Sequence, residues 1–418
     1  MVKYKFPEGF LWGTATASHQ IEGDNFYNDW WEFEKQGKVK NGQVSGKACD
    51  SWNRYEEDFD LIEKLNNNAY RFSIEWSRIE PEEGRFDESA LERYRSMLIS
   101  LRRRNIEPFV TLHHFTNPLW MAKRGGWLNP DIIDYYLRYV KKIVSEFKDL
   151  VNYWMTINEP NAYAFMAYLY GQFPPQGKSL IKMLRVLNNM AKAHAKAYEV
   201  IHQISPDAKV SIAYNVIYFE PKNPNSFIDR KFANFGDRIY NRVFIETLLT
   251  GKFSSPFIKE EIPYAKNTLD YLGINYYTRI LMGLKMGSPE GETSDFGWEI
   301  YPEGIYKVVK RFYGLTKKPI YITENGISDA KDEKRPKYLI SHLIQLHRAI
   351  EEGVDVRGYF HWSLMDNFEW AEGFLQRFGL FETDFNTFER KWRESARIYS
   401  EIAKNNGITE AMEEKFLK

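Results

Sequence analysis

Two glutamates stand where strand-like apolar runs end: Glu159 after YWMTIN, and Glu324 in IYITENG. Two carboxylates brought together from distant parts of a chain support two kinds of chemistry, metal ligation and proton transfer coupled to bond cleavage. A metal centre would need further His or Asp ligands at compatible depth. Only His114 is an obvious partner, and no H-x-H or H-E-x-x-H spacing occurs, so a metal is not expected. A metal-dependent barrel hydrolase is the weaker alternative.

The other use of opposed carboxylates is cleavage of a glycosidic bond. One protonates the departing oxygen, and the other attacks the anomeric carbon or activates water. Glu324 is the better anion, with Arg71, set two strands away, and the Tyr277 hydroxyl to stabilise its charge. Glu159 is the better acid. A partly apolar setting among Trp154, Met155 and Phe165, with repulsion from an ionised partner, would hold its proton near neutral pH. A sugar-binding barrel without turnover is a second alternative, which would be marked by a missing carboxylate; both are present.

The elements that must position these groups repeat. An apolar run followed by an amphipathic stretch of helical period recurs eight times. The strand candidates are Phe10–Ser18, Ala69–Trp76, Pro108–His114, Tyr153–Glu159, Lys209–Asn215, Tyr271–Tyr277, Pro319–Glu324 and Arg357–Ser363. Helical stretches include Tyr55–Leu65, Ser89–Arg104, Asp131–Phe147, Ile181–Gln203, Asp237–Leu249 and Lys337–Glu352. The pattern predicts a single (β/α)₈ barrel over residues 1–418, with no visible domain boundary. In that fold the chemistry collects at the C-terminal strand ends. Seven of the eight ends carry polar or reactive residues, including Gln20, Arg71, His114, Asn158 with Glu159, Asn275 with Tyr277, Glu324, and Trp362.

Composition narrows the partners. Lys and Arg number 57 and so do Asp and Glu, so no net field attracts nucleic acid; the run Arg102, Arg103 and Arg104 fits a solvated helix end. No apolar stretch approaches the roughly 18 residues of a membrane span, and Met1–Pro7 has no signal-peptide core. A soluble, cytoplasmic protein is expected, with peripheral membrane contact through surface aromatics left open. The lone Cys49 excludes an internal disulfide. Gln is scarce, eight residues, while Lys and Glu abound, a composition found in proteins from hot environments. Aromatics are plentiful, with 12 Trp, 27 Tyr and 29 Phe. Trp362, Trp370, Trp120, Trp127 and Phe378 fall in or near strand-end segments, where rings can stack on a sugar while Gln20, His114, Asn158 and Glu369 bind its hydroxyls.

The strings FPEGFLWGTATASHQIEG, YRFSIEWSRIEP, TINEP, LGINYYT, IYITENG and YFHWSLMDNFEWAEGF with RFGL, in that order, resemble the family 1 glycoside hydrolases, the β-glucosidase and β-galactosidase family, from near the N-terminus to about Trp392. The resemblance implies a retaining, exo-acting β-glycosidase for β-glucosides and related β-galactosides, β-mannosides and β-fucosides, with no cofactor. It makes Glu324 the nucleophile and Glu159 the acid/base residue. Arg71, Asn275 and Tyr277 support the nucleophile. Gln20, His114, Asn158, Glu369 and Trp370 bind the non-reducing sugar, Trp362 lies beneath it, and Asn158 grips its 2-hydroxyl. Members acting on phospho-sugars replace the Glu-Trp pair of the strand-8 loop, and plant thioglucosidases have Gln for the acid; Glu369, Trp370 and Glu159 favour an ordinary O-glycosidase. Two departures stand out. Phe115 and Thr116 follow His114 where the family usually has Trp-Asp, which alters a wall of the sugar site. The brief Thr278–Trp298 connection predicts a more open side for the leaving group.

Overall fold

The computed structural model describes residues 1–284 and 287–417. Its centre is a closed barrel of eight parallel strands: β1 Leu11–Ala15, β2 Ala69–Ser73, β3 Glu107–Thr111, β4 Tyr153–Asn158, β5 Lys209–Pro221, β6 Leu272–Met282, β7 Ile320–Asn325 and β8 Val356–Trp362. Each strand pairs with its sequence neighbours, and β8 closes on β1 through Gly358↔Leu11 to Trp362↔Ala15. A helix follows each strand: α1 Ser51–Lys64, α2 Glu88–Arg103, α3 Ile132–Phe147, α4 Leu180–Ile204, α5 Val243–Thr250, α6 Pro302–Thr316, α7 Arg335–Glu351 and α8 Glu394–Asn405. The (β/α)₈ architecture read from the repeats is the architecture found.

Local chemistry explains the elements. β2 and β7 are buried at every residue, as strands must be when helices cover one face and the barrel interior the other. Asp87 starts α2 by accepting from the backbone N–H groups of Ser89 and Ala90, and Ser179 starts α4 by accepting from that of Lys182. At the barrel floor, near the strand starts, Phe109 stacks on Tyr153 at 4.2 Å between centroids and meets Phe360 at 4.8 Å, while Tyr271 meets Tyr321 at 5.2 Å. Part of the aromatic excess therefore fills the floor, away from the reactive strand ends.

Two boundaries differ from the sequence reading for a physical reason. β5 and β6 run on past the predicted Asn215 and Tyr277, to Pro221 and Met282. Beyond the barrel rim they pair only with each other, from Tyr218↔Arg279 to Pro221↔Met282, as a half-exposed ribbon whose polar residues break the apolar run. The predicted helix Asp237–Leu249 is interrupted at Arg238–Arg242, a wider turn. There the Asn241 amide donates to Ile217 O at 2.7 Å and to Asp237 Oδ1 at 2.8 Å. Among the described residues, no helix is long and apolar enough to cross a membrane.

Candidate active site

Glu159 follows the last residue of β4 and adopts the left-handed conformation, φ 46° and ψ 57°, before Pro160 opens a short helical turn. In an extended strand, consecutive residues face opposite ways. The left-handed residue breaks that alternation, so Asn158 and Glu159 both reach Asn275, an arrangement of strained backbone typical of functional sites. Glu159 Oε1 accepts from Asn275 Nδ2 at 2.8 Å and Asn215 Nδ2 at 3.0 Å. Burial, then the nearby Glu324 charge, push the Glu159 carboxyl up to about 7, against the opposing pull of the two amides and Arg71.

Glu324, near the end of β7, has a donor on each oxygen. Arg71 Nη1 lies 2.5 Å from Oε1, and the Tyr277 hydroxyl lies 2.6 Å from Oε2. Desolvation and the Glu324 charge hold the Tyr277 phenol well above its usual range, so it stays a donor. Arg71 is wholly buried and also donates through Nη2 to Asn158 Oδ1 at 2.6 Å. β2 and β7 are separated by β8 and β1, so Arg71 stands three strands from Glu324, not two, and spans the barrel interior to reach it. Asn275 sits differently from its expected role. Its amide donates to Glu159 and Asn158 and accepts from Thr323 Oγ1 at 2.6 Å, which puts it on the Glu159 side.

The remaining polar candidates form the inner wall. Asn158 Nδ2 donates to His114 Nε2 at 3.1 Å, so the ring proton of His114 is on Nδ1, which has no partner among the described residues. Burial, then the Arg71 and His113 charges, hold that imidazole well below its ordinary value, and it is neutral. Gln20 Nε2 donates to Asn367 Oδ1, Phe368 O and Glu369 Oε2, at 2.9, 2.8 and 3.2 Å, leaving buried Oε1 without a partner among the described residues. Desolvation and the Glu324 charge push Glu369 up to about 8.

These groups open on one cavity of about 520 Å³, lined by His114, Asn158, Glu159, Tyr277, Glu324, Trp362, Glu369, Trp370 and Phe378. Trp362 and Trp370 each lie near parallel to the His114 ring, at 6.0 and 5.9 Å. Gln20, Arg71 and Asn275 stand behind this lining. Trp120 and Trp127 do not reach it; their indole N–H groups donate to Glu80 O and Asn117 Oδ1, and both rings serve packing. Among the described residues, no three His, Cys, Asp or Glu side chains are grouped to hold a metal ion.

Residues 2–408 match the family described as Glycosyl hydrolase family 1. The chain belongs to glycosyl hydrolase family 1. This family 1 hydrolase is 38% identical to a 1,4-beta-D-glucan glucohydrolase of Thermotoga neapolitana, over 97% of this chain and 100% of that one. It is 35% identical to a beta-galactosidase of Pyrococcus woesei, over 99% and 100%. Its fold matches a beta-glycosidase from Pyrococcus horikoshii with a TM-score of 0.93 at 42% identity, covering 100% of this chain and 98% of that one.

The departures from the family pattern separate in this family 1 hydrolase. Phe115 lines the cavity and packs on Trp370 at 5.1 Å. Thr116 points away, its hydroxyl 2.9 Å from both oxygens of buried Glu75. The Thr278–Trp298 connection, from which a more open outer side is expected, contributes to the cavity lining: β6 carries the chain to Met282, and Gly287, Ser288, Pro289, Phe296 and Trp298 line the cavity beyond it. One first-rank residue was missed. Asn215 ends the fifth predicted strand, the one not counted among the polar ends, and the strand-end rule itself would have found it.

Proposed function

We propose that this family 1 hydrolase is a retaining exo-β-glycosidase, a single catalytic barrel needing no cofactor, that removes one terminal sugar from β-glucosides and related β-galactosides, β-mannosides and β-fucosides. The Glu159 carboxyl donates its proton to the glycosidic oxygen while a Glu324 oxygen attacks the anomeric carbon, releasing the alcohol and leaving a glycosyl ester. Glu159, now a carboxylate, takes a proton from water, whose oxygen attacks the same carbon and frees Glu324. Arg71 and Tyr277 hold the attacking carboxylate, and the neutral His114, Gln20, Asn158 and Glu369 offer partners to sugar hydroxyls over Trp362. The observation that carries this reading is the asymmetry of the two carboxyls: Glu159 is raised to about 7 by burial and its neighbour, while Glu324 has a cation and a phenol as donors. The glucohydrolase and beta-galactosidase names of its relatives agree with it. Glu369 and Trp370 stand where phospho-sugar members of the family carry other residues, which disfavours phospho-sugars.

The test is a panel of nitrophenyl gluco-, galacto-, manno- and fucosides in both anomers, with NMR of the first-formed sugar. β-Glycosides cleaved with the β-anomer appearing first are expected; the α-anomer first would overturn retention. Glu324→Gly should lose several orders of magnitude in rate and regain part of it with azide, and near-normal activity in that variant would sink the assignment.

A further inference from the structure

Glu159 is held on one oxygen only. Oε1 accepts from Asn275 Nδ2 and Asn215 Nδ2, at 2.8 and 3.0 Å, and among the described residues no donor reaches Oε2. An oxygen that takes two N–H groups has no room for a proton of its own, so in the neutral acid the proton stands on Oε2. An asparagine amide can face a carboxyl with either end, and a swap of nitrogen for oxygen would draw that proton onto Oε1.

Each of the two amides is locked by a hydroxyl. Thr323 Oγ1 donates to Asn275 Oδ1 at 2.6 Å, and the Tyr240 hydroxyl donates to Asn215 Oδ1 at 2.8 Å. Tyr240 lies in the wider turn Arg238–Arg242 and lines the cavity; wider turns of this kind are frequent at functional sites. Its backbone is pinned there. Tyr240 O accepts from the Tyr214 hydroxyl at 2.9 Å and from Asn161 Nδ2 at 3.1 Å, and the same Asn161 amide donates to Asn215 O at 2.8 Å. Asn161, two residues beyond Glu159, thus ties the turn to the strand end, while the Tyr240 ring meets Phe165 edge-on at 5.0 Å. Desolvation, then the Glu159 charge, hold the Tyr240 phenol well above its usual range, which keeps it a donor.

We propose that Tyr240 is a positioning residue for the reaction: acting through Asn215, its hydroxyl keeps an N–H group on Glu159 Oε1 and so leaves the acid proton on Oε2, free for the departing oxygen. The proposal rests on the acid role given to Glu159 above and adds a residue to it.

The amide sets the sign of the effect. An N–H donor favours the carboxylate, so its loss moves the alkaline limb of kcat/KM to higher pH. The other groups that face Glu159 are Glu324, Arg71, Tyr277 and Glu369, and a change at Tyr240 leaves all four as they are.

The test is Tyr240→Phe in the full chain, which removes one oxygen and keeps the ring. On methyl β-glucoside, whose poor leaving group needs the proton, kcat/KM should fall about tenfold, and on dinitrophenyl β-glucoside by less than about twofold. The alkaline limb should move up by about half a pH unit, the worth of one hydrogen bond. Asn215→Ala should behave alike, and the double variant should be no worse than Asn215→Ala alone, because the two residues act on one path. Equal losses on the two substrates with an unmoved limb would make Tyr240 a packing residue and overturn the proposal; additive losses overturn the route through Asn215. If Tyr240→Phe does not fold, Asn215→Ala carries the test, and an unmoved limb there overturns the proposal. A Glu159→Gln variant that spares methyl β-glucoside would sink the acid role and this proposal with it, whereas the expected Glu159→Gln behaviour beside an unresponsive Tyr240→Phe sinks this proposal alone.

Discussion

Arg71 Nη1 lies 2.5 Å from Glu324 Oε1 while Nη2 of the same guanidinium lies 2.6 Å from Asn158 Oδ1. One buried cation thus ties the proposed nucleophile on β7 to the end of β4, beside the proposed acid. A lysine has one charged nitrogen and cannot hold both groups in this fork geometry. Arg71→Lys should therefore lower kcat/KM on nitrophenyl β-glucoside by two or more orders of magnitude, about 3 kcal/mol of transition-state stabilisation. A fall of less than threefold in a folded variant would remove Arg71 from the machinery.

Glu159 sets two pH dependences. As the proposed acid it must be protonated, so kcat/KM should fall as pH rises through about 7, and Glu159→Gln should abolish that limb while harming poor leaving groups far more than good ones. The same shift bears on stability. With its folded value raised from 4.5 to about 7, the folded protein holds this proton more tightly than the unfolded chain. The associated stability, about 3 kcal/mol, is fully present below pH 4.5 and lost as pH rises through 7. Urea unfolding at pH 5 and pH 8 should show a smaller difference for Glu159→Gln than for the wild type; equal differences would contradict the buried-acid assignment.

The barrel was legible because parallel strands covered on both sides leave long apolar runs, and the strand-end rule then located Glu159, Glu324, Arg71 and Tyr277 without coordinates. What sequence could not supply was the reach and rotation of side chains. Asn275 turns to Glu159 rather than Glu324, because Thr323 takes its other side. Trp120 and Trp127 sit in the right segments yet are held by Glu80 and Asn117. The glycine of TENG gains its reason only in three dimensions: a side chain at Gly326 would run into Trp362 O, so the β7 end could not approach β8 and bring Glu324 beside the Trp362 ring.

Thr116 shows why one departure from the family pattern is confined to structure. Glu75 is buried and held by the hydroxyls of Ser18, Ser77 and Thr116 at 2.6–2.9 Å. Thr116→Asp would put a second carboxylate against it in a dry environment. A loss of about 2–4 kcal/mol at pH 7 is expected, shrinking at pH 4, where one of the pair can take a proton. Thermal melts at the two pH values check it, and a pH-independent loss would point to size rather than charge.

The Lys- and Glu-rich, Gln-poor composition predicts a melting temperature above the roughly 45–65 °C of mesophile domains. Arg104 meets Glu56 and Asp60 at 2.9 and 2.6 Å, with Glu63 at 3.8 Å, a network of the kind that gains value with temperature. Arg104→Ala should lower the melting temperature by a few degrees in dilute buffer and by less in 1 M salt, where such exposed charges are screened. A salt-independent effect would deny the network any role.

Asn325, next to Glu324, is placed to set the distance between Glu324 and Tyr277. Its amide donates to Tyr276 O at 2.7 Å and to the Tyr338 hydroxyl at 2.8 Å, and its Oδ1 accepts from the Tyr359 hydroxyl at 2.8 Å. The residue after the proposed nucleophile is thereby fastened to the residue before its phenol donor. Asn325→Ala should release that fastening and lower kcat about tenfold with KM changed less than twofold, because the sugar-binding wall of Gln20, His114 and Glu369 is untouched. Asn325→Asp keeps the shape but turns an acceptor toward Tyr276 O, so it should not restore the rate. If the alanine variant lost thermal stability while kcat held, Asn325 would be a packing residue and the Glu324–Tyr277 contact would be set by the strands alone.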